Sequence, residues 1–202
     1  MFQLPDSTAL NRPLPKKAIY EKFNLKKAER NLLDADISRM MIVAYISPQT
    51  IPALREGQTV KGIYVAMAAV KNKNINDGDL LLLDKLIPQH IIFALQYEEL
   101  IRFTVVYHRR VLKAEWQKTE QAALSVQGID IDAVWQYMIA TIGSLELSST
   151  NSLEEQLQRK EYRDMLLKQI EVMEKKMLAE KQSRRKYELH LEIMKLKKQL
   201  KE

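Results

Sequence analysis

The clearest hydrophobic pattern lies in residues 152–202, which contain no glycine and no proline. Apolar residues return there every three or four positions in two sets, and each set falls on one face of a helix. The sets are Leu166, Ile170, Met173 and Met177, then Leu189, Ile193, Leu196 and Leu200. This spacing is typical of a coiled-coil seam, so it predicts a long helical tail that packs on another helix, in this chain or another.

The two sets do not share one heptad phase. Met177 and Leu189 are 12 positions apart, whereas equivalent positions of successive heptads would be separated by a multiple of seven. We therefore expect a phase shift or a hairpin bend between Leu178 and Glu188, with helix on both sides.

The rest of the chain alternates between short helices and strands. Three prolines keep residues 1–15 extended, and apolar spacing predicts two short helices between residues 16 and 36, broken at Asn24. β-Branched and apolar runs predict strands over residues 37–46, 60–70, 91–97 and 100–107, and residues 111–119 either extend the sheet or cross its edge. A short helix over residues 80–86 is capped by Asp79, and another follows Asp130 and ends at Gly143.

These elements predict an α+β fold. We expect a mixed or antiparallel sheet of four to five strands packed with helices, followed by a long C-terminal coiled-coil helix. The predicted domains are a globular head over residues 1–147, a Ser/Thr/Asn linker over residues 148–152 and a coiled-coil tail over residues 153–202.

The composition excludes several kinds of site and of protein. The chain has no cysteine, which excludes disulfides and thiolate metal sites. The first fifteen residues have no apolar run, and no stretch approaches the roughly 20 apolar residues that span a bilayer. We therefore expect a cytoplasmic protein with no signal peptide and no membrane association.

The net charge of +6 is concentrated in the tail. Arg184, Arg185 and Lys186 form a basic cluster there, and Lys16 and Lys17 follow Pro15 at a helix start. Both groups are candidate contacts for nucleic-acid phosphates. The alternative interpretation is a solvated coiled-coil flank for the first group and a solvated helix entry for the second.

The predicted strands lack the residues of a restriction-type nuclease. The restriction-endonuclease core needs an acid on one strand and an acid-x-Lys on the next, because the carboxylates hold Mg²⁺. The second strand runs into Lys71 without those acids, and Asp77 and Asp79 are assigned to the turn and the helix cap. No phosphate-binding glycine loop or nucleophile motif is present. We expect no catalytic residue, no cofactor and no metal site.

His90 is the one histidine at a candidate site position, at the entrance of a buried strand. Histidine there can serve as a general acid or base. The favoured interpretation is structural, with His90 bonding backbone at the Pro88 turn.

Several segments together resemble an uncharacterised bacterial family, domain of unknown function 4391. They are residues 11–17 with Tyr20, residues 83–93, residues 128–133, and residues 180–189 in the tail. The second segment contains Asp84, Lys85, Pro88 and His90, whose role in the family is unknown. Family members often carry acids where this chain has Met67 and Ala68, which weakens any acid-dependent chemistry at that strand.

The resemblance implies a role but no activity. Family members tend to be encoded beside helicase-like ATPases and DNA methyltransferases, in clusters like restriction or anti-phage defence systems. The expected function is a non-catalytic adaptor of such a complex, with a helicase-like ATPase or DNA methyltransferase as partner and self-association through the tail. The alternatives are a DNA-binding accessory that uses the basic C-terminal helix and a degenerate restriction-type nuclease.

Overall fold

The chain forms two compact units. The structure is a computed structural model, and it describes residues 1–146 and 152–200. The first unit is Met1–Glu146 and the second is Leu147–Glu202. The predicted linker, residues 148–152, lies outside the described residues except for Ser152, which caps the first tail helix.

A mixed sheet of seven strands forms the centre of the first unit. The strand order is β1-β2-β3-β4-β5-β6, and β7 pairs with β5. Every pairing is antiparallel except that of β3 with β4, which are parallel and are joined through a helix. The strands are β1 (Ala9–Pro13), β2 (Ile37–Ile46), β3 (Ile63–Val70), β4 (His90–Tyr97), β5 (Leu100–Tyr107), β6 (Arg110–Lys113) and β7 (Gln117–Lys118).

Helices cover both faces of this sheet. The α-helices of the first unit are α1 (Lys16–Lys22), α2 (Lys27–Asp36), α3 (Asp77–Leu86) and α4 (Ile131–Gly143). Two short 3₁₀ helices lie at Asp6–Thr8 and Thr119–Gln121. Side chains alternate between the faces of a strand. Phe93 of β4 therefore packs in the cluster with α1, α2 and α3, whereas Phe103 of β5 lines a cavity with Met138 of α4.

The fold confirms the α+β class and corrects the strand count. Strand β1 was not predicted, since its short sequence ends in Pro13. It is the outermost strand of the sheet, and its Pro13 pairs with Met41 of β2. An edge strand tolerates proline because its outer N–H groups have no ladder partner. The helix predicted from residue 80 begins at Asp77, and its cap is Asn76, not Asp79: Asn76 Oδ1 accepts the Gly78 N–H at 2.9 Å.

Asp132 fixes the segment before β3. Its carboxylate accepts backbone N–H groups from Gln58 at 2.7 Å and Val60 at 2.7 Å, and the Thr59 hydroxyl at 2.9 Å. Burial alone would raise the pKa of Asp132, and these hydrogen bonds outweigh it and lower that pKa. Residue 60, predicted as the strand start, is held in this turn, so β3 begins at Ile63.

The second unit contains two helices where one long helix was the first expectation. Helix α5 (Leu153–Ala179) and helix α6 (Ser183–Gln199) are separated by residues 180–182. The two helices contact each other, and Lys197 near the end of α6 reaches Glu174 on α5. The break falls inside the segment where the heptad phase predicted a shift or bend, and the result is a helical hairpin.

Candidate functional site

The first candidate site lies where the start of β2 meets the end of β3. Ile37 pairs with Val70 there, and the Lys71 N–H donates to the Asp36 carbonyl at 2.8 Å. The N-terminus of α3 returns to the same edge, since the Asn76 N–H donates to Asp36 Oδ2 at 2.8 Å. The antiparallel pairing of β2 with β3 and the hydrogen bond from the Asn76 N–H bring Asp36 to the first turn of α3.

Asp79 on that first turn carries the most unusual side chain of the site. It is 2% exposed, and its carboxyl is hydrogen bonded to Asp36. Burial, then the hydrogen bond and the charge of Asp36, raise the pKa of Asp79 from 3.8 to about 6. Asp79 Oδ2 has no hydrogen-bond partner within the described part of the chain. We call Asp36 and Asp79 the carboxyl pair.

Lysine and tyrosine side chains from α1 surround a third carboxylate beside this pair. Lys16 forms an ion pair with Asp34 and donates to the Ile37 carbonyl at 2.7 Å. The Tyr20 hydroxyl donates to Asp34 Oδ1 at 2.8 Å. The hydrogen bonds from Lys16 and Tyr20 lower the pKa of Asp34, and burial followed by the Asp34 bond raises that of Tyr20.

This arrangement bears on the nuclease alternative. An acid, Asp36, does stand beside the lysine that follows β3, but it precedes β2 and is not part of an acid-x-Lys motif. Lys71 Nζ donates to the Asp34 carbonyl at 2.5 Å, so this lysine is already engaged. Within residues 1–146 and 152–200, no three His, Cys, Asp or Glu side chains are grouped so that they could hold a metal ion.

The predicted nucleic-acid contacts have different surroundings. Lys16 is 17% exposed, and its ammonium is held by Asp34 and the Ile37 carbonyl, whereas Lys17 is exposed. Arg184, Arg185 and Lys186 are all exposed in the first turn of α6, and Arg184 pairs with Glu188. A phosphate would have to break the Lys16 contacts to bind it, so the tail cluster is the more available of the two groups.

The predicted seam residues lie along the hairpin. Leu166, Ile170 and Ile193 are buried, and the remaining members are half-buried: Met173, Met177, Leu189, Leu196 and Leu200. Since α5 and α6 contact each other, helix partners for this seam are available within the chain.

A second apolar line lies on α6 and remains exposed. Tyr187, Leu191 and Met194 follow one another at spacings of four and three residues, which places them on one helix face. Their side chains are 63%, 44% and 55% exposed. We call these three residues the outer stripe. Apolar residues of α5 are also exposed, including Tyr162, Met165 and Val172.

Comparison with known proteins identifies the family. The sequence profile of the domain of unknown function DUF4391 matches residues 2–200. The chain belongs to this family. No curated protein and no solved structure shows a significant match to it.

The four residues noted above for the family resemblance lie around the end of α3 and the start of β4. Asp84 is half-buried, and burial raises its pKa, while Lys85 and Pro88 are exposed. The His90 ring packs edge-on against Trp135 with centroids 5.0 Å apart, and no hydrogen bond of its side chain is found within the described residues. Burial lowers the pKa of His90, partly offset by the charge of Asp132. The expected backbone bond at the Pro88 turn is replaced by this ring contact.

Sequence reasoning missed the carboxyl pair of this DUF4391 protein. Asp36 and Asp79 are 43 positions apart, and only the pairing of β2 with β3 and the crossover through α3 bring them together. The sequence contains one signal for this burial. Asp79 directly precedes the apolar run Leu80 to Leu83, which places its side chain near a buried helix face. None of the described helices is long and apolar enough to cross a membrane.

Proposed function

We propose that this protein is a non-catalytic adaptor subunit of a DNA-acting bacterial complex in the cytoplasm, of the restriction-like or anti-phage defence type. The observation that carries the proposal is the outer stripe of α6, three large apolar side chains exposed on one helix face. Exposed apolar faces of this kind are used for docking by helix-in-groove or helix-on-helix contact.

The positive charge of α6 supports one kind of partner. Helix α6 contains six Lys and Arg against two Glu, whereas α5 contains six of each sign. Arg184 and Lys198 continue the line of the outer stripe at its two ends, at spacings of three and four residues. The occupant that fits is an amphipathic helix with acidic flanks, because opposite charges beside an apolar contact favour the correct pairing.

The family resemblance supports a choice of partner. We place it on a helicase-like ATPase or a DNA methyltransferase encoded beside this protein. A second copy of the chain is the competing occupant, since the same stripe on two chains would also form an apolar contact, although the basic flanks would then repel each other.

Co-expression with the neighbouring ATPase and methyltransferase tests the proposal. The double variant Leu191→Glu with Met194→Glu should lose co-purification of the partner, because it places two charges on the apolar contact. Leu178→Glu is the matched control, since Leu178 is 74% exposed on α5 and lies outside the outer stripe. The control should retain the partner. Retention by both variants, or loss by both, contradicts docking through the outer stripe.

Light scattering of the purified chain distinguishes the second occupant. A dimer that the double variant converts to a monomer assigns the outer stripe to self-association. If the wild type and the double variant are both monomers, the outer stripe is assigned to the partner.

One observation favours a second function, direct DNA binding by the tail. Arg184, Arg185 and Lys186 are adjacent, exposed and at the start of a helix whose net charge is +4. Phosphate contacts weaken steeply with added salt because counterions are released on binding. Binding to duplex DNA that falls with salt and is lost when these three residues are changed to Gln would favour the DNA-binding accessory.

A further inference from the structure

Two contacts between a cation and an aromatic ring lie side by side on one face of the sheet. The Lys73 ammonium is 5.7 Å from the centroid of the Tyr97 ring, and the Arg102 guanidinium carbon is 4.8 Å from that of Trp116. Tyr97 of β4 pairs with Leu100 of β5, so Arg102 is its diagonal neighbour on the same face. We call Lys73, Tyr97, Arg102 and Trp116 the aromatic patch.

A bulge beside β5 brings Trp116 over Arg102. The Ala114 N–H donates to the Phe103 carbonyl at 2.9 Å, and β7 resumes the pairing opposite Ile101. Two residues of the outer chain therefore lie opposite Arg102 alone, which is the arrangement of a β-bulge. Bulges redirect side chains and are common beside functional sites.

The aromatic patch lies at the carboxyl ends of the parallel strands β3 and β4. Lys73 is in the loop that follows β3, and Tyr97 is the last residue of β4. This edge is the usual ligand-binding edge of sheets with parallel strands and crossover helices. The N-terminus of α3 is a poor anion site here, because Asp77 and Asp79 occupy its first turn.

Three positive charges of this surface have no acidic partner within the described residues: Lys73, Arg102 and Lys118. Lys118 is on the same face because β7 pairs it directly across β5. The two lysines are exposed, and the buried Nε of Arg102 has no hydrogen-bond partner in the described structure. Glu98 and Glu99 form the exposed turn between β4 and β5, and neither is in an ion pair with these cations.

We propose that the aromatic patch, together with Lys118, binds unpaired nucleotides of a single nucleic-acid strand. Trp116 and Tyr97 are half-buried, so part of each ring is open for a base to stack on it. Arg102, Lys73 and Lys118 supply positive charge for the phosphates. The site belongs to the first unit and involves neither the outer stripe nor the basic residues of α6, so it is independent of the proposed docking.

Fluorescence anisotropy of a labelled oligo(dT) of about ten nucleotides, with the full chain at low salt, measures this binding. The patch variant, Lys73→Gln with Lys118→Gln, should weaken binding by about tenfold. It should also lower the slope of log affinity against log salt by about 1.4, since each phosphate contact to a single strand contributes about 0.7. Lys22→Gln with Lys27→Gln is the matched control: both lysines are exposed, and Lys22 also lies over an aromatic ring, that of Phe23. The control should bind like the wild type.

The stacking is tested at Trp116. Trp116→Leu should weaken binding by about tenfold, whereas Trp116→Phe keeps an aromatic ring and should restore most of the affinity. The strand should quench tryptophan fluorescence in the wild type, and this quenching should disappear in Trp116→Phe, in which Trp135 is the remaining tryptophan. Circular dichroism confirms the fold of each variant, and the patch variant tests the site through exposed side chains alone.

A duplex of equal length and the mononucleotide dTMP separate the sources of the bases. The duplex should bind more weakly because its bases are already stacked and paired, and dTMP should not compete below millimolar concentration. The proposal is overturned if the patch variant binds like the wild type or no worse than its control, or if the duplex binds as tightly as the strand. Competition by dTMP at the concentration of the strand would overturn it in favour of a free nucleotide. Loss of all strand binding when Arg184, Arg185 and Lys186 are changed to Gln would overturn it in favour of the tail.

Discussion

Lys197 on α6 places its ammonium 2.7 Å from the Glu174 carboxylate on α5. The contact joins residues 23 positions apart, so it exists only because the tail turns back on itself. Ion pairs of this exposure add at most about 1 kcal/mol. The hairpin is therefore stabilised chiefly by its apolar seam, and the exposed outer stripe is a separate feature of the same helix.

The seam and the outer stripe should respond differently to the same substitution. Ile193 is 3% exposed and Leu191 is 44% exposed, two positions apart on α6. Ile193→Asp buries a charge and should cost the hairpin at least the roughly 2–5 kcal/mol typical of a large-to-small core change. Far-UV circular dichroism should show lost helicity and proteolysis should cut the tail, whereas Leu191→Asp should leave both unchanged. Equal helicity in the two variants would show that Ile193 is not a packing residue of the hairpin.

The carboxyl pair should make stability depend on pH. The pKa of Asp79 is raised to about 6 in the folded protein, so its favourable contribution is complete below the ordinary value of 3.8 and is lost as pH rises through about 6. Asp79→Asn removes this loss. In metal-free buffer the variant should be more stable than wild type by about 1–3 kcal/mol at pH 7.5, and the two should converge near pH 4. Thermal unfolding across this pH range measures the difference, and a constant offset at every pH would contradict the assignment.

The regular elements of the head were largely readable from sequence because their signals are local. The apolar runs of β2 and β5 gave both ends of each strand, and Asp130 was correctly identified as the cap of α4, where it accepts the Ala133 N–H at 2.8 Å. Strand β1 was missed because its residues are mostly exposed and its pairing with β2 is irregular. Its identity as a strand depends on β2, which no local pattern encodes.

The candidate sites were less predictable because they depend on distant contacts. The periodicity located the seam residues but did not decide between a partner in this chain and one in another chain. The carboxyl pair depends on the register of β2 against β3 and on the crossover to α3. The sequence favours Asp79 as the helix cap, a role for which Asp is well suited, and only the structure shows that Asn76 takes that role.

Asp132 should be a strong stability determinant of the head. Its carboxylate accepts N–H groups from three successive residues, Gln58, Thr59 and Val60. Hydrogen bonds to a charged group contribute about 1.5–3 kcal/mol, so Asp132→Ala should cost about 2–4 kcal/mol in denaturant unfolding. Because these bonds lower the pKa of Asp132, its contribution is present above the ordinary carboxyl pKa and should fade as pH drops through the lowered value.

Asp130→Ala is the comparison for Asp132→Ala. Asp130 begins the same helix and caps it through one hydrogen bond, so this variant should cost only about 1 kcal/mol. If the two variants lose the same free energy of unfolding, the turn at residues 57–60 does not depend on Asp132.

The purified protein should not cleave DNA, with Mg²⁺ or Mn²⁺ present. A nuclease needs a metal held close to the scissile phosphate and a group that activates water or stabilises the developing charge. The carboxyl pair offers two ligands, but Lys71 donates to the Asp34 carbonyl and Lys16 is paired with Asp34, so no lysine is free beside the pair in the described structure. Supercoiled plasmid and single-stranded DNA should remain intact over hours at up to millimolar metal.

Metal-dependent cleavage that Asp79→Asn abolishes and Asp77→Asn preserves would replace the adaptor with a nuclease centred on Asp36 and Asp79. Cleavage that persists in Asp79→Asn would indicate a contaminating enzyme, which a repeat purification would remove.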